Sequence, residues 1–436
     1  MDQNLSERAK IAHLYRRAGF GATASQLDAL ETAGYDAAVD GLLEPVGNDQ
    51  GVATLPAPVY GPIDADRTTE EGRKAARQEE RRRFEEMGRW WLDRMAGSDQ
   101  PLTEKLTFLW HGHFATALDK VKSAALMLRQ NETFRSLGRG GFEELTSAVV
   151  HDPAMLLYLD GNNSTKEHPN ENLGRELVEL FTLGIGNYTE ADIVDVARAL
   201  TGLTLSRDHV ASGGSALLNQ RRHDDGTKNI LGVSGNHGPE EAVEIIVADS
   251  GCESFIVARL WSKLAFPIAP DSEIAESLRS SFSGRDIPTL LGAIFRHPEF
   301  VASSSTDGLV KQPLEYFAGA CRALGLRPSE LRGATRLLRD LNQLPFSPPS
   351  VGGWPPNGYW LSTATAYGRV RLAAALADAA DLSSISDAAP AERSAALERL
   401  LSIEFTDETR GVLTDLADDP LKITAVALQT PEYVLN

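Results

Sequence analysis

The chain has 436 residues, of which 42% are apolar and 24% are charged, a balance typical of an ordinary globular protein rather than of a disordered or fibrous one. Asp and Glu outnumber Lys and Arg by 61 to 43, and the resulting net charge of −18 argues against nucleic acid as a partner because such a surface repels phosphate backbones. The two cysteines, Cys252 and Cys321, exclude a disulfide scaffold and a cysteine-rich zinc site.

Neither a membrane span nor an export signal is expected. No apolar run approaches the roughly 20 residues that cross a bilayer. The pair Arg16-Arg17 resembles the start of a twin-arginine signal, but no apolar segment follows it. The sequence therefore predicts a cytoplasmic location, or an exported protein whose signal is missing here.

Helical periodicity runs through most of the chain. It predicts helices over 6–18, from Gln100-Pro101 onward and after the cap Asp152-Pro153, and Thr189 to Asp192 fits a capping box. The same period recurs at 254–265, 286–297, 309–324, 363–380 and 390–402. Because strand-like alternation is scarce, we predict an all-α fold: one large multi-helix domain over 1–436 with a polar loop or hairpin excursion. Strand is expected in one or two short hairpins at most.

Two irregular segments interrupt the helices. Residues 45–66 are rich in proline and glycine and predict an extended connector. Residues 204–238 are polar and glycine-rich and predict either a short hairpin or a long loop excursion, and loops of that length are usually functional or disordered. Between them, 70–89 carries both signs of charge in near balance, which favours an ion-paired, solvated helix over a nucleic-acid patch.

The segment 170–181 predicts an amphipathic helix with a charged face. Glu171, Arg175 and Glu179 fall within about 80° of one another, with Glu176 alongside. The pattern alone favours a solvated face whose side chains form ion pairs with one another. The alternative is a cleft in which the carboxylates bind a cation, or in which one acts as an acid and another as a base. We predict that Arg175 and at least one glutamate are mostly buried and paired.

The loop before this helix offers a candidate site for a divalent cation. Its twelve residues, 160–171, resemble an EF-hand loop in the positions of their oxygen ligands. The ligands at positions one, three, five and twelve would be Asp160, Asn162, Ser164 and Glu171. Thr165 and Glu167 depart from that pattern, so an Asn/Asp-rich turn between helices explains the composition as well.

Histidines supply further candidates. His111 and His113 flank Gly112; their rings lie about 200° apart if the helix continues, and share a face only if Gly112 breaks it. A zinc site would need another ligand, such as Glu171, Glu176 or His223, and a structural histidine is the favoured interpretation.

The long loop holds one more candidate pair. Asp224 or its neighbour Asp225 could orient His223 as a base, or the segment is a polar turn with a hydrogen-bonded histidine. Further on, the aromatic, proline-rich segment 348–360 could stack on sugars or bases, or brace a helical core.

Motifs along the chain resemble those of one bacterial family. They lie at 15–21, 110–114, 152–160, 169–184, 187–190, 197–202, 223–224, 311–313 and 353–355. In this order they resemble the domain of unknown function 1800 family, although Leu203 stands where a tryptophan is expected. The resemblance implies no assigned reaction, catalytic residue or cofactor. It implies that many members are exported, and that a protein partner could come from a neighbouring uncharacterised family that resembles alkaline phosphatases.

Two classes of function follow. The first is a hydrolase-type enzyme, with an optional divalent cation, that would use carboxylates and histidines: Glu171, Arg175, Glu176, Glu179, His111, His113, His223 and Asp224. The second is a non-catalytic binding or accessory protein for an exported partner. Clustering of these side chains around one cavity would favour the enzyme, and scatter would favour the accessory protein. We predict that His111 or His113 turns toward the 171–179 helix without a strongly bound zinc.

Overall fold

The computed structural model describes residues 5–44, 47–206 and 214–435. Its helical content is 62% and its strand content 4%, which confirms the prediction of an all-α domain. Parts of the two irregular segments, residues 45, 46 and 207–213, lie outside the described residues. No helix within the described ranges is both long and apolar enough to cross a membrane.

The helices are numbered here in chain order. Those before the strands are α1 (Glu7–Arg17), α2 (Ala24–Ala33), α3 (Tyr35–Leu43), α4 (Glu70–Gly97), α5 (Pro101–His113), α6 (Leu118–Val121), α7 (Ala124–Leu137), α8 (Phe142–Val150), α9 (Pro153–Tyr158), α10 (Glu171–Glu176), which continues as a π-helix (Leu177–Thr182), and α11 (Glu190–Ala199). Those after the strands are α12 (Pro239–Ala248), α13 (Ser250–Leu264), α14 (Glu273–Leu278), α15 (Ile287–Arg296), α16 (Ser303–Thr306), α17 (Pro313–Ala323), α18 (Ala334–Asp340), α19 (Thr363–Ala379), α20 (Ser383–Ser386), α21 (Arg393–Leu401), α22 (Asp407–Thr414), α23 (Pro420–Ala427) and α24 (Pro431–Val434). Short 3₁₀ turns lie at Gln50–Val52, Gly161–Asn163, Arg279–Phe282, Pro298–Phe300, Pro328–Glu330, Asn357–Leu361 and Pro390–Glu392.

Several helix starts carry the side-chain caps expected from the sequence. Asp152 accepts a hydrogen bond from the Met155 backbone N–H at 2.9 Å. Thr189 and Asp192 form a reciprocal capping box at the start of α11. Each cap satisfies backbone donors that the first helical turn leaves unpaired, and is worth about 1 kcal/mol.

The strands form two short antiparallel pairs. β1 (Leu203–Thr204) pairs with β2 (Leu217–Leu218), and β3 (Lys228–Ile230) pairs with β4 (Val233–Gly235). The second pair is held against α11, because two carboxylates of that helix accept backbone N–H groups from the pair and its turn, at 2.7 and 2.8 Å. This part of the excursion, β3 to β4, therefore packs on the helical body.

Helix α5 lies between two hydrophobic clusters. Trp110 and Leu106 pack into the first cluster, which includes apolar residues of α1, α8, α13 and α15. Phe108 packs into the second, which includes apolar residues of α4, α17 and α19. Eleven of the 13 residues of α5 are buried, so the helix is enclosed on nearly every side.

The charged side chains of α5 are paired inside the protein. Glu104 is fully buried and accepts hydrogen bonds from Arg94 of α4 and Arg135 of α7, each at 2.8 Å. The neighbouring Lys105 forms an ion pair with Glu315 of α17. These pairs fix three other helices around α5, since a buried charge is tolerated only with a partner.

A tight turn brings Gly353 against α5. Its φ of +83° is in the left-handed region, and a Cβ at this position would lie 2.0 Å from the Gly112 carbonyl oxygen. The next residue, Trp354, covers Gly112 and stacks on Phe108, with the two ring centroids 5.4 Å apart. Only glycine permits both the turn and the close approach.

We therefore expect Gly353→Ala to destabilise the protein. The backbone conformation alone accounts for about 1–3 kcal/mol of lost unfolding free energy, and the contact with Gly112 adds to it. Urea denaturation measures the loss. Gly358→Ala is the matched control from the same segment, because a Cβ there meets nothing within 4 Å. Equal stability of the two variants would contradict this role for Gly353.

Candidate functional site

The two histidines of α5 point into different surroundings. The helix continues through Gly112 to His113, so the rings diverge, as predicted for an unbroken helix. His111 lies among the rings of Trp91 and Phe346, and burial lowers its pKa to about 3. His113 shares a hydrogen bond of 2.9 Å with the Phe181 carbonyl, and burial together with the charge of Arg259 holds its pKa well below the usual value. These two rings therefore do not share a metal.

The predicted helix over 170–181 changes its geometry midway. Helix α10 ends at Glu176 and the π-helix follows, with hydrogen bonds five residues apart instead of four. The Glu179 carboxylate accepts a hydrogen bond from the Tyr188 hydroxyl at 2.8 Å and forms no ion pair with Arg175. Arg175 instead pairs with Glu190 of α11 at 2.8 Å, as well as with Glu171 at 3.4 Å.

The prediction that Arg175 and a glutamate paired with it are both mostly buried is wrong. Its side chain is 35% exposed, and those of Glu171 and Glu190 are 51% and 74% exposed. Leu173 and Gly174, on the other side of α10, are buried, with Gly174 pressed against Ala197 of α11. The charged face is therefore the solvated, ion-paired one. Glu176 is partly buried, and burial together with the nearby Glu179 raises its pKa.

The EF-hand-like loop uses its oxygen atoms in contacts with other residues. The Asp160 carboxylate pairs with Lys120 at 2.9 Å, and the Ser164 hydroxyl accepts the Asn170 backbone N–H at 3.0 Å. The Asn162 backbone carbonyl accepts from Arg222 at 3.4 Å, and Glu171 belongs to the Arg175 pair. Across 5–44, 47–206 and 214–435, no three His, Cys, Asp or Glu side chains are grouped so that they could hold a metal ion.

His223 and Asp224 do not form a catalytic pair. His223 is buried and its Nδ1 lies 2.9 Å from the Thr201 carbonyl oxygen. The Asp224 carboxylate accepts two hydrogen bonds from Arg198 of α11, at 2.7 and 3.3 Å, and does not orient the histidine. The segment is thus the polar turn that the sequence also allowed.

The candidate residues therefore lie in separate environments. His113 does turn toward the 171–182 segment, but it meets a backbone carbonyl there. In the part of the chain that the structure describes, no hydrogen bond or ion pair joins a histidine of the predicted set to one of its glutamates. The shared site of histidines and carboxylates, with or without a divalent cation, gains no support from these contacts.

A basic pocket lies beside Gly112 instead. Its inner chamber is a small space of about 20 Å³ lined by the buried Lys105–Glu315 pair. The second Glu315 oxygen accepts the Gln312 backbone N–H at 3.0 Å. Lys263, at the end of α13, and Trp354 also line this chamber. Lys311, adjacent to Gln312, is buried with its ammonium 3.7 Å from the Tyr433 ring centroid. We call the inner chamber and the cavity described next the basic pocket.

An outer cavity of about 500 Å³ adjoins the inner chamber and opens to the surface. Lys263 and Trp354 line both, so they form the wall between them. Arg259 and Tyr359 line the outer cavity as well. Its remaining wall consists of four prolines, two serines and two glycines: Pro267, Pro349, Pro355, Pro356, Ser262, Ser350, Gly352 and Gly353.

The basic pocket holds more positive than negative charge. Three cations, Lys105, Arg259 and Lys263, line it against one carboxylate, that of Glu315, so the balance is 3 − 1 = +2. Burial, with a contribution from Arg259, lowers the pKa of Lys263 to about 8. Burial also lowers the pKa of Arg259, whose Nε has no hydrogen-bond partner among the described residues. Burial alone would raise the pKa of Glu315, but Lys105 holds it below the usual value.

Sequence reasoning missed this pocket because two of its cations look ordinary in the sequence. Arg259 and Lys263 lie one turn apart in the predicted amphipathic helix over 254–265, where charged residues normally face water. Like charges at this spacing repel and destabilise a helix. The motifs at 311–313 and 353–355 flank the pocket and could have indicated it. The sequence alone does not show that these two segments lie close together in the fold.

The chain was compared with known proteins. A family model described as "Protein of unknown function (DUF1800)" matches residues 13–435, nearly the whole chain. No curated protein and no solved structure matches it.

The contrast between buried and solvated ion pairs gives a test by mutation. Glu104→Gln removes the fully buried carboxylate that pairs with Arg94 and Arg135, and we expect it to cost about 3–5 kcal/mol of unfolding free energy. Arg175→Ala removes a solvated pair, and we expect its melting temperature to stay within error of wild type. Calorimetry of the two variants checks both. A large destabilisation by Arg175→Ala would restore the buried-face hypothesis for 171–179.

Proposed function

The chain belongs to the DUF1800 family, whose description assigns no activity, and for this member we propose a binding function: the basic pocket holds a small ligand through its carboxylate, phosphate or sulfate group. The observation that carries the proposal is the pair Arg259 and Lys263, adjacent, largely enclosed, and without a carboxylate at ion-pair distance among the described residues. An enclosed cation is costly without a counter-charge, and a bound anion would supply it.

The walls of the pocket suggest the rest of the ligand. Trp354 and Tyr359 offer flat apolar rings, and the prolines offer a rigid surface beside them. Aromatic faces suit a planar or sugar-like group, while the cations take its anionic end. A volume of about 500 Å³ suits a small molecule. We therefore propose a ligand with one anionic group and one ring or apolar portion.

A hydrolase-type reaction is the second candidate, and Lys263 is the observation that favours it. An amine whose pKa is about 8 exists in both protonation states near neutral pH and can transfer a proton to or from a bound ligand. Such chemistry would depend on a lysine and an arginine, rather than on the carboxylates and histidines suggested by the sequence. Binding needs only the charges and is therefore proposed first.

The pH dependence of anion binding tests the proposal, with sulfate as the probe because its charge is constant between pH 7 and pH 9. The pKa of Lys263 lies below its usual value, so the ammonium is mostly protonated at pH 7 and mostly neutral at pH 9. We expect the sulfate dissociation constant to rise about tenfold over that range. Isothermal titration calorimetry at constant ionic strength measures it.

Three variants sharpen this experiment. Lys263→Met should weaken sulfate binding at pH 7 and remove its pH dependence. Arg259→Met should weaken binding while the pH dependence remains. Lys422→Met, at an exposed lysine, is the matched control and should behave as wild type. Wild-type binding that does not change with pH, or that survives in Lys263→Met, would overturn the proposed role of the basic pocket.

A further inference from the structure

A second and larger depression runs along α4. It has a volume of about 1050 Å³ and lies between α4 and the segments 118–122 and 335–345. It shares no lining residue with the basic pocket. Seven basic side chains line it: Arg67, Arg73, Arg77, Arg81, Arg89, Lys122 and Arg339. Three acidic side chains line it: Glu80, Glu85 and Asp119.

This depression, called here the basic groove, has a charge opposite to that of the whole chain. Its balance is 7 − 3 = +4, whereas the protein carries −18. One of the three carboxylates, Glu80, is already engaged, because it accepts the Ala124 backbone N–H at 2.9 Å. A positive groove on a negative protein favours an anionic occupant and steers it there.

The arginines of α4 fall into two groups by face. Arg82 and Arg83 pair with Glu79, away from the groove. Arg77, Arg81 and Arg89 line the groove and form no ion pair or hydrogen bond with any described residue. The near balance of charge in 70–89 therefore holds for the helix as a whole but not for this face, which explains why composition alone indicated a merely solvated helix.

The groove also has an apolar component. Phe84 and Leu92 contribute from α4, and Leu118, Leu338 and Leu344 contribute from the opposite wall. Leu338 and Leu92 are buried, and the other three are partly exposed. The occupant must therefore present apolar groups as well as negative charge.

We propose that the basic groove binds an extended acidic peptide segment of a partner protein, with carboxylates at alternate positions and apolar side chains between them. Arg73, Arg77 and Arg81 are four residues apart, so their positions along α4 repeat every 6 Å or so, about 1.5 Å per residue. An extended chain places side chains of one face about 6.6 Å apart. Carboxylates on that face meet the arginines, and the apolar side chains between them meet the opposite wall.

This occupant fits better than other anions. A nucleic-acid backbone has no apolar side groups for the leucines, and the net charge of −18 repels it at longer range. A lipid concentrates its charge at one end, whereas the arginines follow one another along the helix. From Arg73 to Leu92 the groove extends for roughly 28 Å of helix, which an extended peptide of about ten residues would cover.

Fluorescence anisotropy with the full-length protein tests the proposal. The probe is a labelled peptide of about ten residues that alternates Glu with Leu. We expect saturable binding that weakens with salt, and a loss of affinity of at least about tenfold in Arg77→Glu/Arg81→Glu. Arg82→Glu is the matched control, because it changes the same helix outside the groove, and should bind within about twofold of wild type.

Two altered peptides separate the contribution of the carboxylates from that of the apolar side chains. Replacing every Glu by Gln should abolish binding, and replacing every Leu by Ser should weaken it. The double arginine variant should keep wild-type circular dichroism and sulfate affinity, so a folding defect or a failure of the basic pocket is recognised independently.

The proposal is overturned by any of four results: no saturable binding of the probe to wild type, equal binding to the double variant, equal affinity for single-stranded DNA, or equal affinity for anionic vesicles. Self-association of wild type that the double variant loses, measured by sedimentation, would assign the groove to a second copy of the chain and overturn it as well.

Discussion

The burial of α5 on nearly every side is the constraint on which the rest of the structure depends. A helix placed between two hydrophobic clusters cannot send its polar side chains into water, and three of them are paired within the protein, whereas neither ring nitrogen of the buried His111 has a hydrogen-bond partner among the described residues. Glu104 is satisfied by arginines of α4 and α7, Lys105 by Glu315 of α17, and His113 by a carbonyl of the π-helix. The positions of four neighbouring elements thus follow from the polar residues of one helix.

The same constraint explains where the basic pocket lies. Gly112 leaves a gap on the surface of α5, and Gly353 allows a tight turn to approach it and set Trp354 over it. Lys105 and Lys263 line the chamber beside it. The chamber is therefore formed where the enclosed helix lacks a side chain. The sequence suggested Gly112 as a break in the helix that would let two histidines share a metal. In the structure the helix is unbroken, and charged groups line the space left by the missing side chain of Gly112.

Local features of this fold could be predicted and long-range ones could not. The caps at Asp152 and Thr189 depend on residues within three positions of each other, so sequence reasoning found them. The pair Lys105–Glu315 joins residues 210 positions apart, and no periodicity indicates it. The π-helix was missed for another reason: the apolar spacing of 170–181 fits an ordinary helix, and the partners that Arg175 and Glu179 choose, Glu190 and Tyr188, lie further along the chain.

The position of α5 also affects how the protein unfolds. Helix α5 contributes to both hydrophobic clusters. Unfolding of either cluster therefore exposes ion pairs and apolar surface of α5 that also stabilise the other cluster. We therefore expect the two halves of the core to unfold together rather than in succession. Partial unfolding is then expected only in elements that contribute to neither cluster, and a protease would find few cleavable intermediates in which α5 is free.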